Sequence, residues 1–286
     1  MAKSRSSVGS VVVGLDASRS AMQAVLWAVD EAIHRQIPVY LLYALGEEAG
    51  GRDDAESDTA VAERTVGSAM SMIEALKVPV QFEAQIVRSR PITALLDASR
   101  SASMICVGSM GFHHLTRGRI GSTWPALLTS ARCPVAVVPR THQPGSRGVD
   151  LILAVVDNAS TADDVLELGV SEACLRDAPL RVFLLRHTHH RDSCPKPIPV
   201  DGRTVVERRV DHWRRTQPKL DIEIVCDHND LLNYLEQLQR HITPLQLIVV
   251  DPRRPGPLDL LLGVAARAPL EAAGCTVMTC TRRQWL

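Results

Sequence analysis

Met104-Ile-Cys-Val-Gly-Ser-Met-Gly111, nine further residues, and then Gly121-Ser-Thr-Trp-Pro-Ala-Leu-Leu-Thr-Ser-Ala131 is the stretch that decides the fold. A short apolar run empties into a glycine-rich loop, and a helix-like run follows. That is the layout of a strand, a loop and a helix able to hold an anion. Glycine reaches positive φ and lets backbone approach an anion closely. The free amides of the following helix N-terminus add donors and a partial positive charge. Ser122 suits the N-cap, and Pro125 falls in the first turn, where its missing N–H costs little. The bland alternative is a tight loop with structural glycines. Three glycines and a serine in this setting favour phosphate.

Outward from this stretch the chain repeats itself. At an offset of 141 residues Asp16 meets Asp157, Glu31-Ala32 meets Glu172-Ala173, and Pro38 meets Pro179. Apolar runs flank each match. Further on, Met104–Val107 meets Leu247–Val250 at an offset of 143, while Gly121 and Cys133 meet Gly263 and Cys275 at 142. Two copies of this length suit two domains and not a solenoid. The expected division is a first domain over 1–141, a polar, turn-rich linker over 142–149, and a second domain over 150–286.

Within the first copy, short β-branched runs alternate with helical patterns. The strand candidates are Val11–Leu15, Val39–Ala44, Gln81–Val87, Met104–Val107 and Val135–Val138, and Ala21, Ala24, Val25, Ala28 and Ala32 keep a helical stripe between the first two. Strands nearly continuous in Val, Ile and Leu indicate a sheet covered on both faces. Alternation of strand and helix indicates right-handed crossovers and a parallel sheet. The predicted fold is α/β: two tandem doubly wound domains, each a five-stranded parallel sheet flanked by helices. Ligands of such sheets sit outside the carboxyl ends of the strands at the switch point. Asp16, Ala44 and Gly108 all fall at predicted strand ends, so one crevice could hold all three.

Composition excludes several partners. Lys plus Arg equals Asp plus Glu, 32 each, and the balance holds in both halves, 14 basic against 13 acidic residues over 1–145 and 18 against 19 beyond. No bulk field draws nucleic acid or an anionic membrane. No apolar stretch reaches the roughly 18 residues of a membrane span, and the basic start leads into only five apolar residues. A cytoplasmic protein is expected. Seven cysteines without framework spacing fit reduced thiols, with Cys106, Cys133, Cys226 and Cys275 as small core residues.

Val11-Val-Val-Gly-Leu-Asp-Ala-Ser18, the Gly108-x2-Gly111-x9-Gly121-Ser122 spacing and Cys133-Pro-Val-Ala-Val-Val138 together resemble the universal stress protein family. The resemblance runs over nearly the full chain as two modules. It implies ATP, with Mg²⁺, as the ligand of the first. By position, Leu15 and Asp16 match the family's residues near the nucleoside, Ala44 a backbone contact to adenine, and Gly108, Gly111, Gly121, Ser122 and Thr123 the triphosphate cradle. Asp16 read from sequence alone fits a helix N-cap equally well. The resemblance also implies a homodimer joined through the last strand, and an unidentified regulatory protein partner.

The second copy departs from this pattern. Asp157 is kept, but Asp251 replaces the first glycine, Arg254 the second and Val264 the serine, with Pro252, Pro255 and Pro257 crowding the loop. A carboxylate and fixed φ angles make a poor phosphate nest. A scaffold, dimerisation or regulatory role is expected there.

Other constellations are weaker. His187-Thr-His-His190 with Cys194 lacks the second ligand pair of a zinc site. His113 and His114 read as exposed loop residues before they read as proton relays. Arg208-Arg209 and Arg214-Arg215 read as a solvated helix face with Trp213 turned inward, an anionic partner being the alternative. No water-activating base accompanies the glycine loop, so turnover of ATP should be slow if it occurs. Binding with a regulatory output is the leading function. An ATPase or nucleotidyl transferase, and a protein-interaction module without nucleotide, are the alternatives.

Overall fold

The structure, a computed structural model, describes residues 7–46, 52–109, 123–142, 151–156, 162–185, 200–225, 231–240, 245–253, 261, 270 and 273–280. The chain divides into two compact units, Met1–Gly145 and Ser146–Leu286. Each contains a parallel sheet.

In the first unit the elements are β1 (Val11–Leu15), α1 (Arg19–Arg35), β2 (Val39–Leu45), α2 (Arg52–Leu76), β3 (Phe82–Arg88), α3 (Pro91–Ala98), β4 (Met104–Gly108), α4 (Thr123–Ser130) and β5 (Val135–Val138). The strands lie in the order β3-β2-β1-β4-β5. Right-handed crossovers then require α1 and α2 on one face of the sheet and α3 and α4 on the other. The contacts agree: α1 packs on α2, and α3 on α4. Covered on both faces, the central strands need no polar side: Val11, Val12, Val13, Ile105 and Cys106 are fully buried.

Local chemistry sets the helix ends. The Ser18 hydroxyl accepts the Ala21 amide and caps α1. At the other end Gln36 takes the left-handed conformation (φ 56°), and His34 and Arg35 complement the helix dipole. Helix α2 turns Ala62, Val66, Ala69 and Ile73 inward, a helical spacing. Pro91 opens α3 at a position that tolerates a missing N–H.

The second unit contains β6 (Leu151–Val156), α5 (Ala162–Arg176), β7 (Leu180–Leu184), α6 (Val200–Thr216), β8 (Ile222–Val225), α7 (Leu231–Arg240), β9 (Leu245–Val250) and β10 (Thr276–Thr279). Its order is β10-β9-β6-β7-β8, the same winding as the first. The repeat survives in backbone detail. Asp177, 141 residues after Gln36, has φ 51°. The Ile37 amide donates to the Ala32 carbonyl at 3.0 Å, and Ala178 donates to Ala173 at the same distance. Glu31 pairs with Arg35 and Glu172 with Arg176, one helical turn apart, and both carboxylates are fully buried. A carboxylate removed from water is tolerated only when paired, and each unit solves the problem in the same way.

Candidate functional site

The switch point of the first unit lies between β1 and β4, which are hydrogen-bonded neighbours whose following helices cover opposite faces. Their carboxyl ends open the crevice in which a doubly wound sheet binds its ligand. Asp16 directly follows β1. Its Oδ1 accepts the Ser18 amide at 3.1 Å, closing a turn around Ala17, which stands at φ 61°. Ser18, not Asp16, is therefore the N-cap of α1. The carboxylate orients the corner that delivers the helix, and that corner fixes it at the strand end. Ala44 is the penultimate residue of β2. The register pairs Leu15 with Tyr43, so Asp16 and Ala44 lie at the same level of adjacent strands.

Tyr43 was not singled out by any motif. Burial pushes its phenol above the usual value, and the carboxylates of Asp16 and then Asp58 push it further. The ring thus sits half-buried in the field of both acids, as a neutral hydroxyl. The register that pairs Tyr43 with Leu15 joins two separate strands, so no local motif marks it.

Gly108 ends β4, and the reason it is glycine lies within the protein. A Cβ built there would stand 2.5 Å from Ser20 Oγ, 2.6 Å from the Ser20 carbonyl carbon and 2.7 Å from the Ala21 nitrogen. Two of those atoms are backbone in the first turn of α1. The helix is seated directly on the strand end, and only glycine leaves it room. Thr123 is the first residue of α4. Gly111, Gly121, Ser122, His113 and His114 lie outside the described residues.

In the second unit Asp251 follows β9, at the place of Gly108. It is 3% exposed. Its Oδ1 accepts the Arg253 amide at 2.9 Å and Arg253 Nε at 2.7 Å, and Arg253 Nη2 donates to Asp164 Oδ2 at 2.8 Å. A guanidinium thus ties the end of β9 to the first turn of α5, whose acidic residues suit the positive end of the helix dipole. Beside it, burial pushes the Cys280 thiol up to about 12, and the negative charges of Asp251 and Asp164 add to the effect. Asp157, Arg254, Pro255, Pro257, Gly263 and Val264 lie outside the described residues, as do His187–His190 and Cys194. Among the described residues no group of three or more His, Cys, Asp or Glu side chains could hold a metal ion, and no helix is long and apolar enough to cross a membrane.

The model of the universal stress protein family matches residues 8–139. A universal stress protein of Mycobacterium tuberculosis is 37% identical over 272 residues, covering 94% of this chain and 95% of its own. The chain belongs to the universal stress protein family. A second universal stress protein of the same organism is 34% identical over 273 residues, covering 95% of this chain and 96% of its own. Among solved structures, a universal stress protein from Archaeoglobus fulgidus covers 96% of both chains with a TM-score of 0.66 at 14% identity. That likeness speaks for the fold, an α/β architecture of two units, as the sequence pattern predicted.

Proposed function

We propose that the first unit of this universal stress protein binds one adenine nucleotide, ATP with its Mg²⁺, and that the second unit binds none. The observation that carries the reading is the meeting of Asp16, Ala44 and Gly108 at the carboxyl ends of β1, β2 and β4, with Gly108 opening the Gly-x2-Gly-x9-Gly-Ser spacing. A carboxylate fixed at the end of β1 accepts ribose hydroxyls or an adenine amine. The Leu15 and Ala44 backbone lies beside it for the base, and Gly111, Gly121, Ser122 and Thr123 supply amides and hydroxyls for the phosphates. The Mg²⁺ would ride on the phosphates, as it commonly does on a bound nucleotide. Nucleotide occupancy then reports to a protein partner, with the chain as a homodimer whose mass light scattering would give directly.

Calorimetry with ATP tests the site. Asp16→Ala removes the proposed acceptor, and Gly121→Ala adds a Cβ facing phosphate. Each is expected to weaken binding at least about tenfold, or ~1.4 kcal/mol. Unchanged affinity in both variants removes this crevice from consideration.

A further inference from the structure

The second unit has a cleft between α5 and α6, of about 630 Å³. Small-molecule sites span roughly 300–1,000 Å³, so the space is of the right order for one compact ligand. Its two walls differ in charge. Helix α5 contributes Asp163 and Glu167, one turn apart and on the same face. Helix α6 contributes Arg208, Arg209, His212 and Trp213. Every acid stands on one wall, and every base stands on the other. Arg209 Nε reaches Asp163 Oδ1 at 2.8 Å, so the walls lie within the span of one guanidinium. Trp213 is half-buried, with its ring edge-on to His212 at 5.7 Å between centroids and 69° between planes.

This layout selects by charge pattern. Two guanidiniums and two carboxylates cancel, so a plain anion meets both acids and a plain cation meets both arginines. A molecule carrying both signs faces no such penalty. Its carboxylate can take a guanidinium fork on α6, and its ammonium a carboxylate on α5, each as a charge-assisted hydrogen bond. In doing so it exchanges with the interhelical pairing and leaves no charge stranded. The indole of Trp213 offers a planar apolar body an aromatic neighbour, worth more than the area alone. We propose that the α5–α6 cleft is a binding site for a small aromatic zwitterion, of the chemical class of a free aromatic α-amino acid. It is separate from the nucleotide crevice and does not depend on it.

Calorimetry on the full chain with L-phenylalanine, phenylpropionate and phenethylamine tests this, since the three share a ring and differ in charge. L-phenylalanine is expected to bind with one site per chain, and each singly charged analogue at least about tenfold more weakly, ~1.4 kcal/mol. Trp213→Ala and the near-isosteric Glu167→Gln should each weaken L-phenylalanine to a similar degree. Asp16→Ala should leave it unchanged, which keeps the result distinct from that for ATP. If Trp213→Ala does not fold, as judged by circular dichroism, Arg208→Gln takes its place. No binding of L-phenylalanine at millimolar concentration overturns the proposal. So does equal binding of phenylpropionate or phenethylamine, or L-phenylalanine binding that survives the variants.

Discussion

The ends of β4 and β9 occupy the same place in two copies of one winding, and they are built in opposite ways. At β4 the strand ends in Gly108, and the first turn of α1 comes down onto it until no Cβ would fit. At β9 the strand ends in a buried carboxylate, and the guanidinium of Arg253 ties it to Asp164 in α5. One unit keeps neutral backbone at its switch point. The other has filled that position with a charge and neutralised it internally. Divergence here has kept the sheet, the crossovers and the buried Glu–Arg pairs while changing the chemistry of the one place where such a sheet meets a ligand.

The contrast breaks most readily at Gly108. Gly108→Ala forces α1 off the strand end, because two of the three colliding atoms are backbone and cannot rotate aside. Overpacking of this kind costs about 1–3 kcal/mol, and the upper end is expected in a urea unfolding midpoint. A variant as stable as the parent would show that α1 has room to retreat, and the distinction between the two strand ends would dissolve.

Asp251→Ala should have a smaller effect. It removes two hydrogen bonds to Arg253, but that guanidinium keeps Asp164 and is partly solvated. A loss of about 1–2 kcal/mol is expected, smaller than at Gly108. The reverse order would mean that the ion-paired end, and not the glycine end, is the more tightly built.

An effect that is silent at neutral pH sharpens what the units share. Burial pushes the Cys133 thiol in the first unit and the Cys280 thiol in the second up to about 12 from an ordinary 9.0. Well below pH 9.0 both thiols are protonated folded or unfolded, and stability is untouched. Above that the unfolded chain ionises first, so stability should fall as pH climbs towards about 12. Unfolding midpoints across alkaline pH check this, and Cys133→Ala should blunt the decline. At neutral pH, Cys174 is exposed and should react with iodoacetamide before Cys106, Cys133, Cys275 and Cys280, which are buried.

Much of the fold was legible because its strands are runs of Val, Ile and Leu bounded by turn residues. Val11–Leu15 and Val135–Val138 were placed to the residue, and β2 and β3 differ from expectation by a residue at their ends. Strand β8 carried no such signal. Ile222-Glu-Ile-Val225 is four residues long and terminal in its unit's order, and its Glu223 faces Arg181 across the strand pair. Of the candidate site, the sequence pattern put Asp16, Ala44 and Gly108 at strand ends, and they fall at the carboxyl ends of β1, β2 and β4. It could not show that Gly108 answers to a helix packed on it, since that contact joins residues far apart in the chain. Nor could it pair Arg253 with Asp164, which lies 89 residues away. Local patterns reveal elements, and long-range contacts decide what their ends are for.

The measurement closest to the centre of this account is the stoichiometry of ATP bound by the full chain, read by calorimetry and by mass spectrometry under native conditions. One nucleotide per chain, lost in Asp16→Ala and kept in Asp251→Ala, is the expected result. Two per chain, or one that persists without Asp16 and disappears with Asp251, would contradict it.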